Sequence, residues 1–329
     1  MPNRVIIDTD PGIDDALALL LALQSPELEI VAVTTVSGNV PVGIATRNIF
    51  AVLSLFHLIE KPPVAGGASR PLKKDPLFAT QFHGNDGLGE LHRFRDAAGN
   101  PRYAPQPITL SERDAVHEIL HQLSTTSEPI TLISLGPLTN IAAAIEKDRV
   151  KMKKIHRIVL MGGATGVPGN ITPVAEFNIY FDPHAASMVF NSGIPLTVVG
   201  LDVTRQVRLT KDWVKKALTL HQTTVNQFIY DCTEKLFAFA EENEGEESFP
   251  LHDPLAVGVA IDPSFVTTTA MHVEIETNGQ FTEGMTVADQ RPLKAMWKKP
   301  PNTDVSVNVD TSRFLSFFLE RVLSLKSPE

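Results

Sequence analysis

The chain of 329 residues is short of cysteine, of basic charge and of long apolar runs, and each shortage removes a class of protein. Cys232 is the single cysteine, so no intramolecular disulfide can form, and the composition fits a reducing cytoplasm. Lys and Arg total 29 against 38 Asp and Glu, a formal charge of −9. A phosphate backbone demands a basic surface, so nucleic acid is not an expected partner, whereas a small neutral ligand remains open. The longest clear apolar run, residues 16–23, falls well below the ~20 residues that span a bilayer. Nor does a basic stretch lead into an apolar one at the N-terminus, where the chain runs almost directly into a strand-like segment. Repeats, low-complexity tracts and separating linkers are absent as well. The expectation is a soluble cytoplasmic protein, with no membrane partner, folded as one domain over residues 1–329.

What the chain does have is alternation. RVIID (4–8) reads as a buried strand, DDALALLLALQ (14–24) as a helix, LEIVAVTTV (28–36) as a strand, 42–58 as a helix and PPVAGG (62–67) as a short strand. Residues 67–110, rich in Pro, Gly and charge, read as an excursion above a sheet. A helix follows over 111–123 with Ser111 as candidate N-cap, then strand 129–135, helix 137–148, strand 156–163, helix 182–193 with Asp182 as cap and Pro183 at its first position, and strand 194–204. Such alternation predicts an α/β fold with an open, mainly parallel, Rossmann-like sheet flanked by helices. Beyond about residue 210 the pattern changes: one or two helices over 211–242, an exposed loop over 241–249, a helix over 252–262, short strands within 265–310 and a terminal amphipathic helix.

The densest chemistry lies in VIIDTDPGIDDALALL (5–20), where Asp8, Asp10, Asp14 and Asp15 fall at the junction of the first strand and first helix. In open α/β sheets, ligands bind outside the carboxyl ends of the strands. Carboxylates packed there raise one another's pKa unless a cation neutralises them, and clustered oxygens suit Ca²⁺ or Mg²⁺. Taken singly, Asp14 is explained as a cap, Asp10 as a turn former and Asp8 as a solvated acid; four together are not. An EF-hand is excluded because Leu19 occupies the twelfth position, which needs Glu. A Mg²⁺-dependent phosphohydrolase of the haloacid-dehalogenase type, with Asp8 as nucleophile, is weakened by Gly12 where Thr or Val is wanted, and is kept as the alternative.

DTDPGIDDALAL resembles the N-terminal signature of the inosine-uridine preferring nucleoside hydrolases. The likeness continues through TTVSGNV, HGNDGLG, SLGPLTNIA, MGGA, NITPVAEFNIYFDPHAA, LHDPLAV and GMTVAD, a collinear series over residues 4–290. The resemblance implies hydrolysis of the N-glycosidic bond of a ribonucleoside, one tightly bound Ca²⁺, and a homotetramer or dimer. By motif, Asp10, Asp15 and Asp253 would supply carboxylate oxygens to the ion, and Leu135 its backbone carbonyl. Asp10 would also be the general base. Asp14 would contact the 2′-hydroxyl, Asn178 and Asp253 the 2′- and 3′-hydroxyls, and Asn170 and Glu176 the 5′-hydroxyl, with Glu176 and Asn178 expected on one side of an extended segment. Asn39 would orient water or ribose.

His252, in the HDP motif, matches the family's leaving-group histidine; a purine-preferring subgroup has Trp there. His83 either lines the same pocket or is structural. Tyr230 and Gln227, or instead Phe237 and Phe239, are candidates for contact with the base, whose identity stays open. His117 and His121, four apart on one helix, read as surface or packing residues, and Asp8 as a structural acid. A non-catalytic nucleoside-binding protein is the remaining alternative, disfavoured by intact Asp10 and His252.

Overall fold

The computed structural model describes residues 2–57, 60–104, 106–292 and 298–325. Strand β1 (Asn3–Thr9) is the third strand of an eight-stranded sheet, paired in parallel with β2 (Leu28–Thr35) on one side. Beyond β2 comes the short β3 (Val64–Gly66). On the other side of β1 follow β4 (Ile130–Ser134), β5 (Ile155–Met161) and β6 (Leu196–Val199), all parallel. Two short strands, β7 (Arg208–Thr210) and β8 (Ser248–Pro250), form an antiparallel ribbon apart from the sheet. So do β10 (Val273–Ile275) and β11 (Thr286–Ala288), while β9 (Val266–Met271) is the antiparallel edge strand beside β12 (Thr303–Val309). The observed sheet is the expected one: open, mainly parallel and covered by helices.

Period-two burial of β1 divides the interior. Val5 and Ile7 join the core under α1 (Ile13–Leu23), whereas Ile6 joins the core on the opposite face. Helix α1 is buried along ten of its eleven residues, which explains why its sequence is apolar all round instead of amphipathic. The chain runs from β1 to β2 and β3 on one side, through α2 (Val42–Leu53) and the one-turn α3 (Thr80–His83), then crosses to β4 through α4 (Ala115–Thr125). The sheet order therefore reverses between β1 and β4, and a crevice opens at their carboxyl ends.

Several boundaries differ from the expectations. The second helix stops at Leu53, and Leu58 lies outside the described residues. The cap of α4 is Asp114, which accepts from the His117 N–H at 2.9 Å; Ser111 instead donates to Glu118. After α5 (Thr139–Lys147), α6 (Arg149–Met152), α7 (Phe177–Phe181) and α8 (Pro183–Phe190), the strand expected through residue 204 ends at Val199. A separate turn, α9 (Leu201–Thr204), follows it. The long helical segment is indeed two helices, α10 (Lys211–Leu220) and α11 (Thr224–Glu244). The acidic stretch expected to be loop continues α11 through Glu244 and then enters β8, because Ser248 and Phe249 pair with Thr210 and Leu209. Helix α12 (His252–Ile261) packs against α1, and α13 (Thr311–Leu323) closes that face with Phe314 and Phe318 fully buried. Among the described residues, no helix is long and apolar enough to cross a membrane.

Candidate active site

The end of β1 and the start of α1 bring carboxylates together because the Pro11-Gly12 turn is tight. Asp15 accepts from the Gly12 N–H at 2.9 Å and from Asn39 Nδ2 at 3.1 Å, with Thr9 Oγ1 donating to its other oxygen. Asp10 Oδ2 accepts the Asn39 N–H at 2.6 Å, while its Oδ1 is buried with no hydrogen-bond partner. Two glycines make room for this carboxylate: a Cβ at Gly38 would sit 2.0 Å from Oδ2, and one at Gly136 would sit 2.4 Å from Oδ1. Carboxylate oxygens of Asp14, Asp15 and Asp253 lie within 4.8 Å of one another. Asp253 sits in the first turn of α12, with Leu251 as that helix's cap, so it is not the cap residue itself.

Among the described residues no Lys or Arg forms an ion pair with Asp10, Asp14, Asp15 or Asp253. Burial, then the charge of Asp15, pushes the Asp14 carboxyl up to about 8 and raises Asp10 and Asp253 as well. Buried carboxylates with an orphaned oxygen and no side-chain cation are a donor set for a hard divalent ion. The trio that converges includes Asp14, expected only to contact ribose. The Leu135 carbonyl, expected to be a ligand, accepts from Asn178 Nδ2 at 2.7 Å and has a second lone pair.

A cavity of about 680 Å³ opens over this floor, lined by Asp14, Asn39, His83, Leu135, Asn170, Glu176, Asn178, His252 and Asp253. Asp10 and Asp15, fully buried, lie next to it. Eleven residues drawn from widely separated motifs therefore meet at one place. Asp8 does not line the cavity: it is buried, and its Oδ1 accepts from Thr34 Oγ1 and, at 2.8 Å, from Asn140 Nδ2. Burial pushes its carboxyl up to about 6, partly offset by those two bonds. A nucleophilic Asp8 is disfavoured by that enclosure.

Glu176 and Asn178 are not on an extended segment. Glu176 caps α7, accepting from the N–H groups of Asn178 at 2.9 Å, Ile179 at 3.2 Å and Gly163 at 3.0 Å. Asn178 lies in the first turn of that helix and donates to the carbonyls of Leu135 and Met161, at the ends of β4 and β5. The side chains still reach one cavity because a helix start turns them inward together. Asn170 Oδ1 accepts the Phe177 N–H at 2.9 Å, which folds the preceding loop onto α7.

Both histidines line the cavity. His83 Nδ1 accepts the Ile13 N–H at 3.1 Å, and burial draws its ring down to about 4. His252 Nδ1 lies 2.7 Å from Thr204 Oγ1; burial, then Arg205 and Arg208, draw that ring down to about 3. Of the four proposed base contacts only Phe239 lines the cavity, with its ring 4.5 Å from that of Phe82. Gln227 donates to Asp231 at the rim of a different cavity, Tyr230 is 39% exposed, and Phe237 packs on Phe249. Sequence reading missed Phe82, Met161, Arg205 and Arg208 in the lining. Met161 alone had a signal, as the first residue of MGGA. His117 and His121 lie on α4 and line a separate cavity instead.

Comparison with known proteins agrees with this geometry. The family profile described as inosine-uridine preferring nucleoside hydrolase matches residues 5–316. A pyrimidine-specific ribonucleoside hydrolase, RihA, of Escherichia fergusonii is 38% identical over 323 residues, covering 98% of this chain and 99% of the relative. The RihA of Salmonella schwarzengrund is 40% identical over 328 residues, with coverages of 98% and 99%. Among solved structures, a plant nucleoside hydrolase superposes with a TM-score of 0.88 at 34% identity, covering 99% of this chain and 100% of its own. The purine-preferring ribonucleoside hydrolase of Gardnerella vaginalis does so with 0.87 at 34% identity, with 98% of each chain covered. Collinear motifs, a shared fold and a buried carboxylate floor agree: the chain belongs to the inosine-uridine preferring nucleoside hydrolase family.

Proposed function

We propose that this ribonucleoside hydrolase splits the N-glycosidic bond of its substrate with water, releasing ribose and the free base, and that it holds a calcium ion on the carboxylate floor. The observation that carries the reading is the unpartnered Oδ1 of Asp10 beside three further buried carboxylates, under a cavity that two histidines line. Asp10, Asp15, Asp253 and the Leu135 carbonyl would hold the ion, with Asp14 beside them; all-oxygen donors suit calcium. When bound, the ion supplies positive charge that keeps these carboxylates ionised and makes water at the site more acidic.

The chain's own groups then divide the work. The Asn39 N–H holds Asp10 Oδ2, leaving Oδ1 to take a proton from the attacking water. The water oxygen bonds to the anomeric carbon while the glycosidic electron pair leaves with the base. Asp14, Asp253 and Asn178 grip the 2′- and 3′-hydroxyls, and Asn170 and Glu176 the 5′-hydroxyl. Bonds that tighten as the ribosyl group becomes oxocarbenium-like lower the barrier. His252 gives a proton to the departing base. The ring, neutral in the free site, takes up that proton from solvent as negative charge growing on the base offsets the nearby Arg205 and Arg208.

The RihA relatives support uridine or cytidine over inosine as substrate. The protein is further proposed to work in the cytoplasm as a homodimer or homotetramer, to be read by analytical ultracentrifugation. The deciding experiment is reducing-sugar release from a panel of natural nucleosides, alongside elemental analysis of the purified protein. Absence of release from every nucleoside would sink the reading.

A further inference from the structure

Helix α9 is a single turn, yet two of its polar side chains and the arginine that caps it bond to the 165–169 segment and to His252. Asp202 accepts from the Thr165 N–H at 2.9 Å, from Thr165 Oγ1 at 3.0 Å and from the Gly166 N–H at 2.6 Å. Arg205, the cap residue of the turn, donates to the carbonyls of Pro168 at 2.8 Å and Gly169 at 2.7 Å. Between them Thr204 is fully buried, and its Oγ1 lies 2.7 Å from His252 Nδ1. Residues 165–169 lead directly into Asn170, which lines the same cavity as His252.

We propose that α9 is the positioning element of the active site: Thr204 sets the orientation and proton placement of the His252 ring, while Asp202 and Arg205 hold the segment that presents Asn170. This rests on the functional reading above and assigns it residues that touch no reacting atom in that scheme. A threonine hydroxyl suits the task chemically. It donates to Nδ1 when the ring is neutral, leaving the proton on Nε2, and accepts from Nδ1–H when the ring is charged. Branching at Cβ restricts χ1, so the hydroxyl has a defined direction. Valine has the same shape and neither capacity; serine keeps both.

The held segment has little freedom of its own. A Cβ at Gly169 would meet the Ala175 carbonyl at 2.1 Å, and the Gly169 N–H donates to Pro173 O at 3.1 Å. The loop is thus closed on itself as a small rigid body, and the bonds from Asp202 and Arg205 fix that body to the end of β6. Because the same turn fixes His252, the separation between the leaving-group end and the 5′ end of the site is set by four residues of backbone. Such preorganisation is worth rate, since small misplacements of reacting groups are costly.

The test compares two substrates. Uridine needs its base protonated on departure, whereas a p-nitrophenyl β-riboside releases a stable anion without help. Thr204→Val is expected to lower kcat on uridine by about 30-fold or more while changing the nitrophenyl riboside by less than about threefold, with Thr204→Ser restoring most of the uridine rate. Thr204→Ala repeats the comparison should the valine variant fail to fold. Asp202→Asn is expected to raise KM for uridine about tenfold but to leave KM for 5′-deoxyuridine near the wild-type value. Equal loss on both leaving groups, or no rescue by serine, overturns the assignment of Thr204. An equal KM change for uridine and its 5′-deoxy analogue overturns that of Asp202. Wild-type protein inert on both ribosides would take down the functional reading and this inference with it, a result distinct from either of the others.

Discussion

The backbone N–H of Ile13 donates to Nδ1 of His83 across 3.1 Å, and that bond decides which nitrogen of the ring carries the proton. An amide N–H can only face a lone pair, so Nδ1 is bare and the proton sits on Nε2. Charging the ring would place a second proton against the first amide of α1, in a partly buried place. A cation on the neighbouring carboxylates would oppose that charge further. His83 is therefore expected to stay neutral, as the Nε2–H tautomer, from pH 5 to 8. Nitrogen chemical shifts of the labelled ring read this directly, and a titration within that window would show the expectation to be wrong.

Gly136 owes its identity to Asp10. Its added Cβ would lie 2.4 Å from Oδ1 and 2.9 Å from Cγ, where no flexible neighbour can yield without moving the carboxylate. Gly136→Ala is expected to fold with a loss of about 1–3 kcal/mol from overpacking. It is expected to lose metal affinity and activity by about 100-fold or more, as for other disturbed ligand supports. Calorimetric titration with CaCl₂ and a denaturation midpoint measure the two losses separately; near-normal calcium affinity would contradict the proposed role of the Asp10 carboxylate as a ligand to the ion.

Removing divalent ions should cost stability as well as activity. Four buried carboxylates without a side-chain cation repel one another in the free protein, and a bound ion relieves that repulsion. With free calcium at about 100 times its dissociation constant, linkage contributes about 2.7 kcal/mol. The melting temperature should rise by several degrees on adding calcium to chelator-treated protein. Asp10→Asn together with Asp253→Asn should abolish the rise; an unchanged rise in the double variant would move the ion elsewhere.

An acid-sensitive contribution lies far from the site. Hydrogen bonds from Lys299 and His272 hold the Glu274 carboxyl at about 2, below its usual 4.5. A depressed carboxyl contributes stability that is present above pH 4.5 and lost as pH falls towards 2. The side chain is 41% exposed, so screening limits the contribution to about a few tenths of a kcal/mol. Glu274→Gln should melt slightly below the wild type at pH 6 and level with it near pH 2. A gap that widens on acidification would reverse the sign of the argument.

Local chemistry made much of the fold legible. Val and Ile in β1 and β2, the apolar run of α1 and the Asp-Pro start of α8 each satisfy backbone and burial demands within a few residues. The motif series brought eleven candidate residues into view, and one cavity holds or adjoins all of them. What failed were places where a distant partner decides the local state. Ser248 and Phe249 are a strand only because Thr210 and Leu209 lie beside them. The segment after Val199 turns into α9 because the Leu201 N–H finds the Gly163 carbonyl at 2.9 Å instead of a strand partner. Gln227 is a candidate for contact with the base by residue type, yet the direction of α11 sends its amide to Asp231 and brings Phe239 to the cavity.

The sequence by itself determined the alternation of strands and helices and the concentration of acid at the first strand–helix junction, since periodicity and spacing are properties of adjacent residues. Only the tertiary structure decided that Asp253 joins Asp14 and Asp15, that Asp8 is enclosed by Thr34 and Asn140, and that Thr204 faces His252 from 48 residues away. Those relationships depend on which strands are neighbours and where their ends meet. That is fixed by burying two apolar faces of one sheet at once, a condition no local stretch of chain contains.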